Sequence, residues 1–102
     1  MHLHTMKLLT IVAEQQTGIH VIAALKELGI RGYTFQEVKG EGEHGACTDA
    51  DGNCINLQIE VIASLHMMDD ILEMLQHNFM SQDTAIIAYV AEVKVFRHQK
   101  FM

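Results

Sequence analysis

The most constraining feature of the chain is an interruption near its middle. Residues 40–54 (GEGEHGACTDADGNC) hold four of the seven glycines and four acidic residues, with almost nothing apolar. A stretch of that composition cannot bury itself, so it is expected to protrude as a loop and to split the chain into two halves that share one core. With 102 residues there is no room for a second core, and residues 1–102 are read as a single domain.

Each half reads as strand, helix, strand. Residues 6–13 (MKLLTIVA) are apolar with β-branched members, which predicts a strand buried on both faces. From Thr17, Val21, Ile22, Leu25 and Leu28 recur at helical spacing. Thr17 is the expected cap of that helix and Gly29 its left-handed terminator. Residues 32–38 (GYTFQEV) predict a second strand that stops at the glycines of the loop.

The second half repeats the order. Residues 55–63 (INLQIEVIA) predict a strand in which Gln58 and Glu60 face away from Ile59 and Val61. Ser64 is the expected cap of a helix with an apolar stripe of Met68, Ile71, Leu72, Leu75 and Phe79, and with Asp69, Asp70 and Glu73 in its early turns. Residues 84–96 close the domain as a long strand.

The order strand, helix, strand, strand, helix, strand predicts an α+β, ferredoxin-like βαββαβ fold, an antiparallel sheet with both helices on one face. The other sheet face then needs a cover, and copies of the same chain in a closed cyclic homo-oligomer are the expected one. No apolar run approaches the length of a membrane span, and the first residues, MHLHTMKLL, do not read as a secretory signal, so a cytoplasmic location is expected.

Charge narrows the ligand. The net charge is −6, which argues against nonspecific binding to nucleic acid. Lys7, Lys26, Arg31, Lys39, Lys94, Arg97 and Lys100 are the whole basic inventory, and none falls between Lys39 and Lys94. An anion must therefore be held by the two ends of the chain, or by two chains, together with backbone N–H groups.

Particular residues go further than the pattern. The segment LKELGIRGYTFQEVKGEGEHG at 25–45, the INLQIEVIA strand and AYVAEVKVFR at 88–97 resemble the PII family of signal-transduction proteins. The central loop, about residues 40–54, corresponds in that family to the T-loop. The resemblance implies a barrel-like homotrimer with adenine nucleotides in clefts between subunits. It implies nucleotide-binding roles for Thr34, Lys39, Gly40 and Gly42, for Asp83 and Thr84 in the loop before the last strand, and for Arg97 and Lys100. Glycines let backbone N–H groups approach phosphate, and arginine offers a planar fork of donors.

The departures from the family pattern select a subgroup. Ser81-Gln82-Asp83-Thr84 stands where nitrogen-regulatory members have a glycine-rich loop followed by lysine, and a carboxylate at Asp83 disfavours a triphosphate, so AMP or ADP is expected over ATP. The lysine those members use for 2-oxoglutarate is replaced near Asn56, and the T-loop is shorter and lacks their modified tyrosine. The chain most resembles the PII-like proteins associated with bicarbonate transporters or carboxysomes. That implies bicarbonate as a second ligand near the T-loop base and a protein target of that kind.

Plainer readings stand beside these. Arg97 and Lys100 also suit solvated ends, Thr34 a strand former, and Gly40 and Gly42 a turn. His20 and His77 read as surface residues, and Met67 and Met68 as core filler. Cys47 and Cys54, with His44 between the loop glycines, are open to a redox pair, a metal site or ordinary thiols, the last leading. The run from Asp49 to Asn53 lacks the glycine position and flanking helices of a calcium loop.

No nucleophile elbow, paired metal-binding histidines on a helix or phosphate-binding Walker sequence is present, so an enzyme is not expected. The alternative of a different class is a trimeric metal-binding or metal-resistance protein, resembling either the CutA proteins, which share the fold, or the metal-resistance PII-like proteins. Its candidate ligands would be His2, His4, His44, Cys47 and Cys54.

Overall fold

A computed structural model of the chain describes residues 2–40, 55–81 and 83–96. The elements follow in the order β1 (His4–Glu14), α1 (Gln15–Glu27), β2 (Tyr33–Lys39), β3 (Ile55–Ala63), α2 (Leu65–Asn78) and β4 (Ile86–Val95). The four strands form one antiparallel sheet in the order β2-β3-β1-β4. The expected βαββαβ arrangement is present, with β3 spanning 55–63 as read.

Both helices pack on one face of the sheet. The core there is Leu9 and Ile11 of β1, Leu57, Ile59 and Val61 of β3, Val21 and Leu25 of α1, and Met68, Ile71 and Leu75 of α2. The strand register puts odd-numbered residues of β1 and β3 on this face, and Thr10, Glu60 and Thr34 on the other.

α1 starts earlier than its polar residues suggest. The helix begins at Gln15, Glu14 stands at the N-cap without a side-chain cap bond, and Thr17 lies inside the first turn, so the expected Thr17 cap is not formed. The reason is tertiary. Gly18 is buried in the helix against β3, where an added Cβ would lie 2.8 Å from the Cβ and Cδ1 of Leu57. That close approach packs the first turn of α1 onto β3, a tertiary contact that local capping preference does not register.

Its other end is as read. Gly29 has φ +86°, Gly29 N–H donates to Lys26 O at 3.0 Å, and Ile30 N–H to Leu25 O at 3.0 Å. These are the two bonds of a Schellman motif, and the accompanying apolar contact is supplied by Ile30 and Leu25, both in the core.

α2 is capped by Ser64, whose hydroxyl accepts from Met67 N–H at 3.3 Å. Two expectations about this helix are corrected. Its first turn holds no acidic residue, because the helix begins at Leu65 and Asp69, Asp70 and Glu73 fall in later turns, where the dipole acts weakly. Leu72 is 36% exposed and points away from the buried stripe, whose flanks are filled by Met67 and Met74. The boundaries of the first and last strands of the chain also shift, since pairing of His4 with Val95 and of Ala13 with Ile86 sets them.

Candidate functional site

The described nucleotide-site candidates occupy two separate places on one chain. β2 carries the first group: Thr34 and Lys39 are both exposed, and Gly40 follows the strand. They are five residues apart, so their side chains leave opposite faces of the sheet. Thr34 pairs with Glu60 on the face without helices, whereas Lys39 pairs with Ile55 in the register of Tyr33, which packs on the core. Six strand steps at about 3.3 Å put Gly40 roughly 20 Å from Thr34 along the strand.

Lys39 and Ile55 also close the base of the central loop. Gly40 sits beside Asn56, with an added Cβ 4.0 Å from Asn56 Nδ2. Gly42, His44, Cys47 and Cys54 lie outside the described residues.

The second group lies at the same end of the sheet but on its opposite edge. Ser81 and Thr84 approach each other through a backbone bond from Thr84 N–H to Ser81 O (3.2 Å) and their hydroxyls (2.6 Å), leaving Asp83 exposed in the turn. β4 then begins at Ile86, which pairs with Ala13 in the row that continues through Leu57 to Glu37. Three strand spacings of about 4.8 Å separate that edge from β2, so Asp83 and Lys39 of one chain stand roughly 14 Å apart across the sheet.

β4 runs ten residues from Ile86 to Val95, about 30 Å, and ends alongside His4, opposite the end that holds Lys39 and Gly40. Arg97 and Lys100 lie outside the described residues.

The face without helices holds a feature that the sequence reading did not single out. Tyr89, Thr10, Glu60 and Thr34 form one row across all four strands. Thr10 is 4% exposed and is the buried polar residue of the core strands. Glu60 and Thr34 line an open cavity of about 220 Å³ with Leu8, Gly32, Tyr33 and Ile62, smaller on one chain than a typical small-ligand site. The signal for Glu60 was present in the alternation of β3, but its partners across the sheet depend on register.

Away from that row, Gln36, Gln58 and Asn56 keep the β2–β3 side of the face polar, while the β1–β4 side is largely apolar. Leu8, Val12 and Ile62 are half-buried, and Ile87 and Tyr89 are 59% and 55% exposed. Of the metal candidates, His2 and His4 are described; their rings lie 4.8 Å apart. Among the described residues no group of three or more His, Cys, Asp or Glu side chains is placed to hold a metal ion, and no helix is long and apolar enough to cross a membrane.

Comparison with known proteins gives these positions a context. The model of the family described as nitrogen regulatory protein P-II matches residues 6–100. A structure from Thermus thermophilus, described as that of a PII-like signaling protein, is 36% identical, with 100% of each chain covered and a TM-score of 0.79. CPII, a PII-like protein from Thiomonas intermedia, is 23% identical in its structure bound to ADP and bicarbonate. There 99% of this chain and 98% of that chain are covered, with a TM-score of 0.81. The same protein bound to ADP, AMP and bicarbonate gives a TM-score of 0.77 at 23% identity, covering 94% of this chain and 98% of that one. No curated protein sequence matches the chain.

Proposed function

The chain belongs to the nitrogen regulatory protein P-II family, and from that premise we propose that it is a non-catalytic sensor of AMP or ADP. It forms a homotrimer of single domains spanning residues 1–102, with nucleotide bound in the clefts between copies. Bicarbonate is the second ligand, near the T-loop base. The T-loop, residues 40–54, relays ligand state to a protein target in inorganic-carbon handling, a bicarbonate transporter or a carboxysome component, from a cytoplasmic location.

The observation that carries this reading is the dispersal of the candidate residues on one chain. Thr34 leaves one sheet face, Lys39 the other, and β4 ends about 30 Å from its start. A mononucleotide cannot span those positions on one copy. It can be reached where two copies meet, with Thr34 supplied by one and Lys39, Gly40, Gly42, Asp83 and Thr84 by the next, and with Arg97 and Lys100 completing the phosphate contacts. The apolar face around Leu8, Ile62, Ile87 and Tyr89 is the surface such an assembly would bury.

The ligands follow from charge and kinship. Guanidinium and ammonium groups at Arg97, Lys100 and Lys39 suit phosphate, while the exposed carboxylate of Asp83 opposes a third phosphate. The related Thiomonas protein holds ADP, AMP and bicarbonate. Bound nucleotide would fix the loop base at Lys39 and Gly40, and the loop conformation would decide whether the target docks.

The test is isothermal titration with AMP, ADP, ATP and cyclic AMP, each with and without bicarbonate. Micromolar binding of AMP or ADP that changes with bicarbonate is the expected result. Absence of binding by every nucleotide would overturn the reading.

A further inference from the structure

The first residues of β1 hold a pair that the nucleotide reading leaves unused. His4 opens the strand and is fixed in the sheet by its pairing with Val95. The next residue, Thr5, accepts a hydrogen bond from Lys94 Nζ at 2.5 Å, which ties the ends of β1 and β4 together on the opposite face. His2 precedes His4 by two positions, the spacing that sends side chains from extended backbone to one side. Their rings lie 4.8 Å apart between centroids with planes at 83°.

That separation has a chemical meaning beyond an edge-to-face contact. A metal ion about 2.1 Å from one nitrogen of each of two imidazoles, with a cis angle of 90–109°, sets the ring centroids roughly 4.6–5.3 Å apart. The observed rings fall in that interval. Side chains on the same sheet face near this end, Met6, Val93 and Val95, are uncharged, and the Lys94 ammonium is engaged with Thr5 on the other face.

We propose that His2 and His4 chelate one divalent late first-row transition-metal cation per chain, each through one ring nitrogen, with water filling the other positions. With two protein ligands the site is an exchangeable one, unlike the closed four-ligand structural sites of zinc. Two neutral imidazoles favour Cu²⁺ and Ni²⁺ over Zn²⁺ by the general order of divalent affinities. His4 is held on a paired strand and His2 is exposed just outside it, so one ligand is fixed and the other can close on the ion. The proposal is independent of nucleotide binding.

The experiment is calorimetric titration of the untagged full chain with NiCl₂ and with CuCl₂ in a non-chelating buffer, for wild type, His2→Ala, His4→Ala and the Cys47→Ser/Cys54→Ser double variant. One ion per chain is expected in wild type. Each histidine variant should lose on the order of 10²-fold in affinity, since removing either ligand abolishes the chelate. The cysteine double variant should bind as wild type does. Wild-type affinity in both histidine variants, loss of binding in the cysteine variant, or no binding in wild type would each overturn the assignment. His2 lies outside the strand, so His2→Ala keeps the test decisive even if His4→Ala perturbs folding, which far-ultraviolet circular dichroism would report.

Discussion

Gly18 of α1 and Leu57 of β3 are packed so closely that the missing Cβ of one is the space occupied by the other, at 2.8 Å from Leu57 Cβ and Cδ1. Leu57 Cβ is not the free end of a side chain and cannot swing aside. Gly18→Ala must therefore push α1 off the sheet. Overpacking of this kind costs about 1–3 kcal/mol, against which alanine's helix preference returns about 1 kcal/mol. A net loss of up to about 2 kcal/mol is expected, read as a lower urea midpoint at fixed protein concentration. An unchanged or higher midpoint would mean that the helix accommodates the methyl group.

What the sequence disclosed and what it withheld divide along physical lines. Local chemistry was legible: Ser64 as a cap, Gly29 as a left-handed terminator, and the two strand–helix–strand halves all depend on residues within a few positions of one another. The start of α1 was not, because Thr17 is a good cap in isolation while Gly18 is placed by contact with a strand about 40 residues later. The row Tyr89–Thr10–Glu60–Thr34 was hidden for the same reason, since register between distant strands decides it. The candidate site residues could be named from resemblance, but that Thr34 and Lys39 face opposite ways needed only their spacing of five.

Ser64 offers a simpler check on the second half. Its hydroxyl satisfies Met67 N–H at 3.3 Å, one of the unpaired donors of the first turn of α2. Ser64→Ala is expected to lower stability by about 1 kcal/mol, and Ser64→Asp to restore it. Both are measured by the same urea titration; equal stability of serine and alanine would show that the long bond contributes nothing.

The face without helices is predicted to be the assembly surface. Ile87 is 59% exposed there, on β4 at the sheet edge. Burying a side chain of this size contributes about 1.5–3 kcal/mol, and a closed ring repeats the gain at every interface. Ile87→Asp is expected to convert the trimer to monomer at micromolar concentration, seen by sedimentation velocity. A trimer that survives this substitution would place the interface elsewhere.

Arg97 is a predicted phosphate contact. Arg97→Ala should weaken AMP and ADP binding by on the order of 10- to 100-fold, the loss of a charge-assisted contact of about 1.5–3 kcal/mol, with sedimentation unchanged. Wild-type affinity would remove the residue from the site.

The strongest consequence of the strand geometry concerns which chains meet at one ligand. Thr34 and Lys39 lie on one strand but face opposite ways, and the proposed cleft between copies is predicted to take Thr34 from one and Lys39 from the next. Thr34→Ala and Lys39→Ala chains should each bind ADP weakly when pure. Unfolded together at equal concentration and refolded, they form mixed trimers. Clefts in which the Lys39→Ala chain presents its intact Thr34 to a Thr34→Ala chain with its intact Lys39 are then whole, about one cleft in four for random assembly. Titration of the mixture should show that fraction of sites at wild-type affinity. If both residues served a ligand from the same chain, every site would lack one of them and the mixture would bind no better than either parent.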